Sequence, residues 1–419
     1  MANTLKFGNG NWATKKGSTL AYNDENGNFK PLPFDFSRGS TPTGSKATTI
    51  NKDGLIEEVG NNIPRIDYKD NSEGALLLEP SRTNLITYSE DFNNTYWTKS
   101  GSSAKSEFAS PSGDLSAFKL VENIDTVEHY IKRSIANPIG FYTWSLFVKA
   151  GGRKYIVFRT NADGGAYKNA CFDVESGTIV YDGLHQSKAE IQSFNNGWFR
   201  VSAYVKETSG TTRNYQIHIS DSPITDNGAI SYTGNGVSGV YIYGAQLETG
   251  SYATSYIPTS GSAVTRLVDV CSQTVPDGVI GQTEGTMFVD CKINAQGTYT
   301  GFSLSDGTTS NEVIVRFTTT DRIEYYLRSG GSQPFGGGTT AFDTDSRVKV
   351  AIAYKSGDSV FYVNGTEVAS STNTTIPLNL SKVKFSRGNS TADFSGITKN
   401  FKVYNTRLSN SELAALTQV

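Results

Sequence analysis

The feature that most limits what this chain can fold into is an alternation of short strand-prone runs with clusters of turn formers. The runs Phe141–Lys149, Lys154–Arg159, Asn169–Val174, Gly197–Val205, Tyr215–Ile219 and Val240–Leu247 are separated by Gly151-Gly152, Asp163-Gly-Gly165, Ser176-Gly177 and Asn195-Asn-Gly197. β-Branched and aromatic residues suit a pleated, half-buried surface, whereas Gly, Asn and Asp reverse the chain. Strands of this length and spacing predict a double-sheet sandwich. The pattern resumes in Glu284–Ile293, Glu312–Phe317, Arg347–Tyr354, Ser359–Val368 and Phe401–Tyr404. One short helix is expected over Leu408–Leu416, where Ser409 and Glu412 have the spacing of a capping box.

A single core stops growing near about 250–300 residues, so a chain of 419 divides. The reading is all-β: an N-terminal extended arm over 1–33, a collar or lead-in over 34–86, a jelly roll over 87–260, a linker over 261–282 and a second β-sandwich over 283–419. The arm is polar, with isolated Leu5, Phe7 and Trp12 as the anchors expected to enter pockets on a partner. The 38 basic and 40 acidic residues leave a net charge of −2, too small a field to draw in nucleic acid or an anionic membrane. Cys171, Cys271 and Cys291 are odd in number and lack metal spacing, which predicts buried thiols rather than a disulfide framework. No signal-like start and no run of ~18 apolar residues is found, so synthesis and folding in a bacterial cytoplasm are expected, without membrane insertion.

Two segments bracket the first sandwich: Asn84-Leu-Ile-Thr-Tyr-Ser-Glu-Asp-Phe92, continuing to Trp97, and Gly244-Ala-Gln-Leu-Glu248, continuing to Ser255-Tyr-Ile-Pro258. With the internal Asp173–Ile179 and Asn195–Val201 steps, they resemble a carbohydrate-binding-type jelly roll of tail, fibre and head-fibre proteins of tailed bacteriophages. The openings Leu5–Gly10, Trp12–Lys15 and Leu32–Arg38, and the succession Asp53–Glu57, Pro64–Tyr68 and Ala75–Leu85, are similar to lead-in segments of the same proteins. The run Arg347–Tyr354, the hairpin Tyr362-Val-Asn-Gly365 and the ending Ile397–Leu416 resemble the concanavalin A-like lectin/glucanase family and its laminin-G-like relatives.

These resemblances imply a virion structural protein, a head fibre or tail fibre, held by its N-terminal arm to capsid or tail proteins. It would be a homo-oligomer, with a trimer favoured over a dimer, displaying lectin-like sandwiches to host surface glycans. Catalysis is not expected. The second family's Glu-x-Asp-x-x-Glu strand is missing, and the nearest acidic clusters, Asp321 with Glu324 and Asp343 with Asp345, fall at a strand start and a loop. His129, His185 and His218 have no nucleophile pattern beside them, and Gly336-Gly-Gly338 reads as a flexible loop. No cofactor is expected. Asp306, Asp343 and Asp345 are the residue type that holds Ca²⁺ in lectin loops, but loop Asp serves turns equally well, so no metal ligand is assigned.

Sugar recognition needs aromatic faces beside planar polar groups. Tyr96, Trp97, Tyr167, Tyr325, Tyr326 and Phe335, in or near turn-rich segments, are the candidates for glycan contact. Two other readings stay open: a ligand-free decoration protein and a polysaccharide-degrading tailspike. An adhesin exported from a bacterium would require a leader.

Overall fold

The computed structural model describes residues 4–8, 19–23, 29–33, 35–39, 47–70, 72–161, 166–183, 188–210, 212–294, 299–318, 322–339 and 346–419. The fold is all-β apart from one α-helix and a short 3₁₀ turn among these residues. The chain forms two compact units, 1–43 with 59–81 and 267–419, and 44–58 with 82–266.

In the unit that holds the C-terminus, two antiparallel sheets enclose one apolar core. The larger sheet has ten strands, running Phe29–Pro33, Thr19–Asn23, Thr4–Gly8, Gly396–Tyr404, Glu284–Ile293, Val348–Lys355, Ser359–Val363 and Thr366–Ser371, with Ala75–Leu78 and Arg65–Asp67 added beside Gly396–Tyr404. The facing sheet has seven, running Ser332–Gly338, Ile323–Ser329, Glu312–Phe317, Thr300–Ser305, Lys382–Lys384, Val270–Thr274 and Asp35–Ser37. Met287, Val289, Val350, Ile352 and Phe401 from the first meet Phe302, Leu304, Val313, Val315 and Leu327 from the second. The hairpin turn falls at Asn364-Gly365 as the sequence predicts. The helix Asn410–Thr417 starts at Ser409 with both halves of the capping box formed, and Leu413 seals the outer side of the larger sheet over Phe288, Ala351 and Tyr362.

The expectation of a separate arm, collar and linker is corrected here. Thr4–Gly8 pairs with Gly396–Tyr404 in the register Leu5↔Val403 and Phe7↔Phe401, while Ala75–Leu78 pairs with the other half of the same strand edge. An open edge exposes a row of unpaired N–H and C=O groups, and here the N-terminal strands close it. Leu5 and Phe7 therefore lie on a strand of this unit's own sheet, and Trp12 lies outside the described residues. The collar is divided, with residues 44–58 in the other unit, and the linker supplies Val264–Arg266 to one unit and Val270–Thr274 to the other. Three lead-in residues converge on one from the linker: Arg38 Nε donates to Asp269 at 2.7 Å, Arg65 donates to Glu79 at 2.6 Å and also to Asp269, and all four side chains are buried.

The other unit is the predicted sandwich. A six-stranded sheet, in the order Ser102–Phe108, Ala117–Glu122, Gly239–Thr249, Gly140–Gly151, Phe199–Glu207 and Ala189–Ser193, faces a seven-stranded one built on Thr98–Ser100, Thr126–Ala136, Thr212–Ser220, Tyr155–Thr160, Lys168–Asp173 and Thr178–Asp182, with Ser231–Thr233 beside Thr126–Ala136. Trp144 stacks 4.0 Å from Phe158 in the core between them.

The two bracketing motifs knit together. Asn84 Nδ2 donates to the carbonyls of Ala245 and Ile257, and its Oδ1 accepts from the N–H of Ile86 and Leu247. Gln246 Oε1 accepts from Ile257 N–H at 2.7 Å, and Glu248 accepts from Thr254. Glu90 accepts from the hydroxyls of Tyr243 and Tyr256. Gly244 sits at a positive φ of 62°, at a bulge where a Cβ would press on Phe147 and Tyr256 at 3.1 Å. The polar letters of these motifs are thus used to close the sandwich.

Candidate functional site

On the seven-stranded sheet of the C-terminal unit, alternation decides which side chains face out. Val313, Val315 and Phe317 point to the core, as do Ile323, Tyr325 and Leu327, so Glu312, Ile314 and Arg316 stand on the outer face with Glu324, Tyr326 and Arg328. Tyr326 is half-buried between two guanidinium groups, with the Cζ atoms of Arg316 and Arg328 5.1 and 5.2 Å from its ring centre. Its hydroxyl donates to Glu324 at 2.8 Å, and Arg316 Nε donates to the same carboxylate oxygen at 2.6 Å. Burial and that carboxylate raise the hydroxyl's pKa, keeping it a donor. Arg316 also lies 4.7 Å from the ring of Tyr299, which is 47% exposed.

Space for the Tyr326 ring comes from the neighbouring strand. Gly336 is its cross-strand partner, and a Cβ there would fall 2.5 Å from Tyr326 Cδ1. The glycine run is therefore strand, in Ser332–Gly338, and not the loop expected from composition: backbone pairing to Ile323–Ser329 overrides the weak strand propensity of Gly.

Glu312 ends the row. Its carboxylate is buried, accepts from Gly388 N–H at 3.2 Å and Arg387 Nη2 at 3.4 Å, and has Arg328 Nε at 3.6 Å. Burial raises its pKa against the pull of those donors. Lys384 on the same face donates to the Gly388 carbonyl and Ser390, and burial lowers its pKa. The arrangement offers two aromatic rings, guanidinium donors and a carboxylate on one surface, a set suited to a hydroxyl-rich ligand.

The remaining sequence candidates fall elsewhere. Tyr325 is buried and stacks 4.3 Å from Phe361, with Phe335 5.0 Å away and also buried. Trp97 is buried, donates its indole N–H to the Tyr88 carbonyl at 3.0 Å and packs against Phe92. These three are core side chains, because each sits at an inward position that the turn-rich composition around it does not reveal. Tyr96 is half-buried with Arg133 3.9 Å over its ring. Tyr167 lies in the other unit, its hydroxyl accepting from Asn214 at 3.0 Å and its ring 4.7 Å from Arg159. Arg316, Arg328 and Tyr299 were missed; the strand period would have found the two arginines once the inward face was known, whereas Tyr299 precedes the strand Thr300–Ser305.

Asp306 accepts from Thr308 and Asn311, an Asx turn, while Asp321, Asp343, Asp345 and His185 lie outside the described residues. Among the described residues no three His, Cys, Asp or Glu side chains gather to hold a metal ion, and no helix is long and apolar enough to cross a membrane. The three cysteines are free and buried, and burial raises their thiol pKa, for Cys171 to about 11.

Comparison with curated proteins gives no match. Among solved structures, the chain is similar to the Ruminococcus gnavus IT-sialidase CBM40 bound to alpha2,3 sialyllactose, at 18% identity over 33% of this chain and 84% of that one, TM-score 0.30. It is similar to domain 4 of AbnA, a GH43 extracellular arabinanase from Geobacillus stearothermophilus, in complex with arabinotriose, at 16% identity over 40% and 84%, TM-score 0.30. A third is the native heptameric SAP-like pentraxin from Limulus polyphemus, at 12% identity over 32% and 69%, TM-score 0.26. Residues 271–414, which include the Tyr326 face, match the family model described as the concanavalin A-like lectin/glucanases superfamily.

Proposed function

We propose that this chain is a non-catalytic, glycan-binding bacteriophage virion protein, a head or tail fibre that presents its β-sandwiches to host surface polysaccharide. The observation that carries the binding part is the Tyr326 face: an aromatic ring held between Arg316 and Arg328, beside exposed Tyr299, within the lectin/glucanase-like domain. Binding at one such shallow face is weak, and assembly into a trimer would multiply it through effective concentration. The virion part rests on the sequence resemblance of the lead-in and the first sandwich. Attachment to capsid or tail is assigned to the N-terminal residues, with Trp12 as the anchor.

The test is a glycan array with the full chain and its Tyr326→Ala variant, with electron microscopy of particles carrying wild type or Trp12→Ala. Loss of at least one bound glycan in the first variant and loss of decoration in the second are expected. Decoration that survives Trp12→Ala removes the docking assignment. An unchanged array profile for Tyr326→Ala removes the binding face.

A further inference from the structure

The sandwich of residues 82–266 carries a second polar surface, on the outer side of its seven-stranded sheet. Strand registers set Tyr130 beside His218 and Lys132 beside Gln216, with Arg159 next to Gln216 on the following strand. Ile131, Ile217 and Phe158 point the other way into the core, so these polar side chains share the outer face. One end of this face is closed by Ile224 and Ile230 over Val157 and Cys171. Tyr167 borders the other end, under Arg159.

His218 gives the surface its polarity. It is fully buried, 4.8 Å from the Tyr130 ring, and its Nε2 lies 2.7 Å from Gln216 Oε1. A carbonyl oxygen only accepts, so Nε2 carries the proton and Nδ1 is the bare nitrogen, which has no partner among the described residues. Burial, then Arg159 and His129, lower its pKa and hold the ring neutral. With Oε1 spent on His218, the NH₂ of Gln216, a residue only 4% exposed, is its remaining donor. Lys132 Nζ lies 5.8 Å from the Tyr130 ring and has no carboxylate partner among the described residues. Arg159 shares its charge with Glu128 at 3.6 Å and donates to Gly228 O. Donors outnumber acceptors in this row, and one ammonium is left without a counter-charge.

We infer that this face is a second saccharide site, separate from Tyr326, and that its ligand is a carboxylate-bearing sugar: Lys132 and the Gln216 amide take the carboxylate while Tyr130 and Tyr167 flank the ring. Charge complementarity selects the ligand, because a neutral sugar leaves Lys132 unpaired whereas a carboxylate forms charge-assisted hydrogen bonds to it. His218 is a positioning residue, acting through Gln216. The inference does not rest on the Tyr326 reading.

The experiment presents the full chain with an array of uronic- and sialic-acid oligosaccharides, each beside its methyl-esterified counterpart, and titrates the tightest binder by calorimetry. Binding of at least one free acid, weakened about tenfold or more by esterification, by Lys132→Ala and by Gln216→Ala, is expected. Tyr326→Ala should leave it unchanged, which separates this site from the first. His218→Phe keeps the buried ring and removes its donor, so affinity should fall while the melting temperature holds. The proposal is overturned if no free acid binds, if esters bind as well as acids, or if affinity survives both Lys132→Ala and Gln216→Ala.

Discussion

Arg38 and Asp269, 231 positions apart in sequence, form a fully buried ion pair at 2.7 Å, and Arg65 shares the same aspartate. Arg38 also donates to the carbonyls of Gly60 and Ile63, while the Glu79 N–H donates to Asp269. The pair thereby ties Asp35–Ser37, Arg65–Asp67, Ala75–Leu78 and Val270–Thr274 into one unit. Burying such charges is costly, but removing one partner strands the rest. Asp269→Asn should destabilise this unit by about 3–5 kcal/mol, read as a lower denaturant midpoint for its unfolding transition. A shift no larger than that of a surface substitution would show that the cluster is not holding these strands.

Asn84 satisfies four backbone groups from three segments of the other unit. Asn84→Ala should cost roughly 2–3 kcal/mol, because buried donors and acceptors lose their partner together. Thermal unfolding of that unit is the readout, with glycan binding at the Tyr326 face unaffected.

Acid should destabilise the same unit in two stages. His218 is held below its ordinary value of 6.5, chiefly by burial, so the unfolded chain takes up a proton that the folded one refuses; stability is complete above that pH and falls below it. Glu122 and Glu207 are held below 4.5 although burial opposes it, because Arg153 and Tyr232 donate to the first and Arg213 to the second. Their contribution is present above 4.5 and drains as pH falls through the lowered values. In a pH series of melting temperatures, His218→Phe should abolish the first stage and spare the second.

Gly336→Ala places a methyl group where the Tyr326 ring rests. Ring displacement should weaken any saccharide bound at that face without unfolding the sheet, since the nearest clash is with a side chain. Equal affinity in the alanine variant would separate the ring position from binding.

Ser409→Ala removes the side chain that accepts from Glu412 N–H at the start of Asn410–Thr417. The loss should be about 1 kcal/mol, seen as earlier melting of the C-terminal unit. Restoration by Ser409→Asp would assign the effect to the cap.

Local chemistry was legible from residues alone. The strand Glu284–Ile293, the Asn364-Gly365 turn and the Ser409 cap depend on side-chain period, backbone freedom and a hydrogen bond three residues long, all contained within a short window of sequence. The bracketing of one sandwich by the segments around Asn84 and Gln246 was legible too, through their resemblance to the opening and closing motifs of a known jelly roll.

What only the tertiary structure decided is which face of a strand turns inward and which distant strand covers an edge. Tyr325 and Tyr326 are adjacent and chemically alike, yet one is stacked in the core on Phe361 and the other stands between two arginines outside, because successive side chains of a strand point to opposite faces. Thr4–Gly8, too polar to form a core of its own, becomes a strand because Gly396–Tyr404 presents an edge to pair with. Propensity and period act within one segment, whereas burial and edge pairing belong to the assembled sheet, so the all-β class came from the sequence and the placement of Tyr326, Gln216 and Asp269 came from the fold.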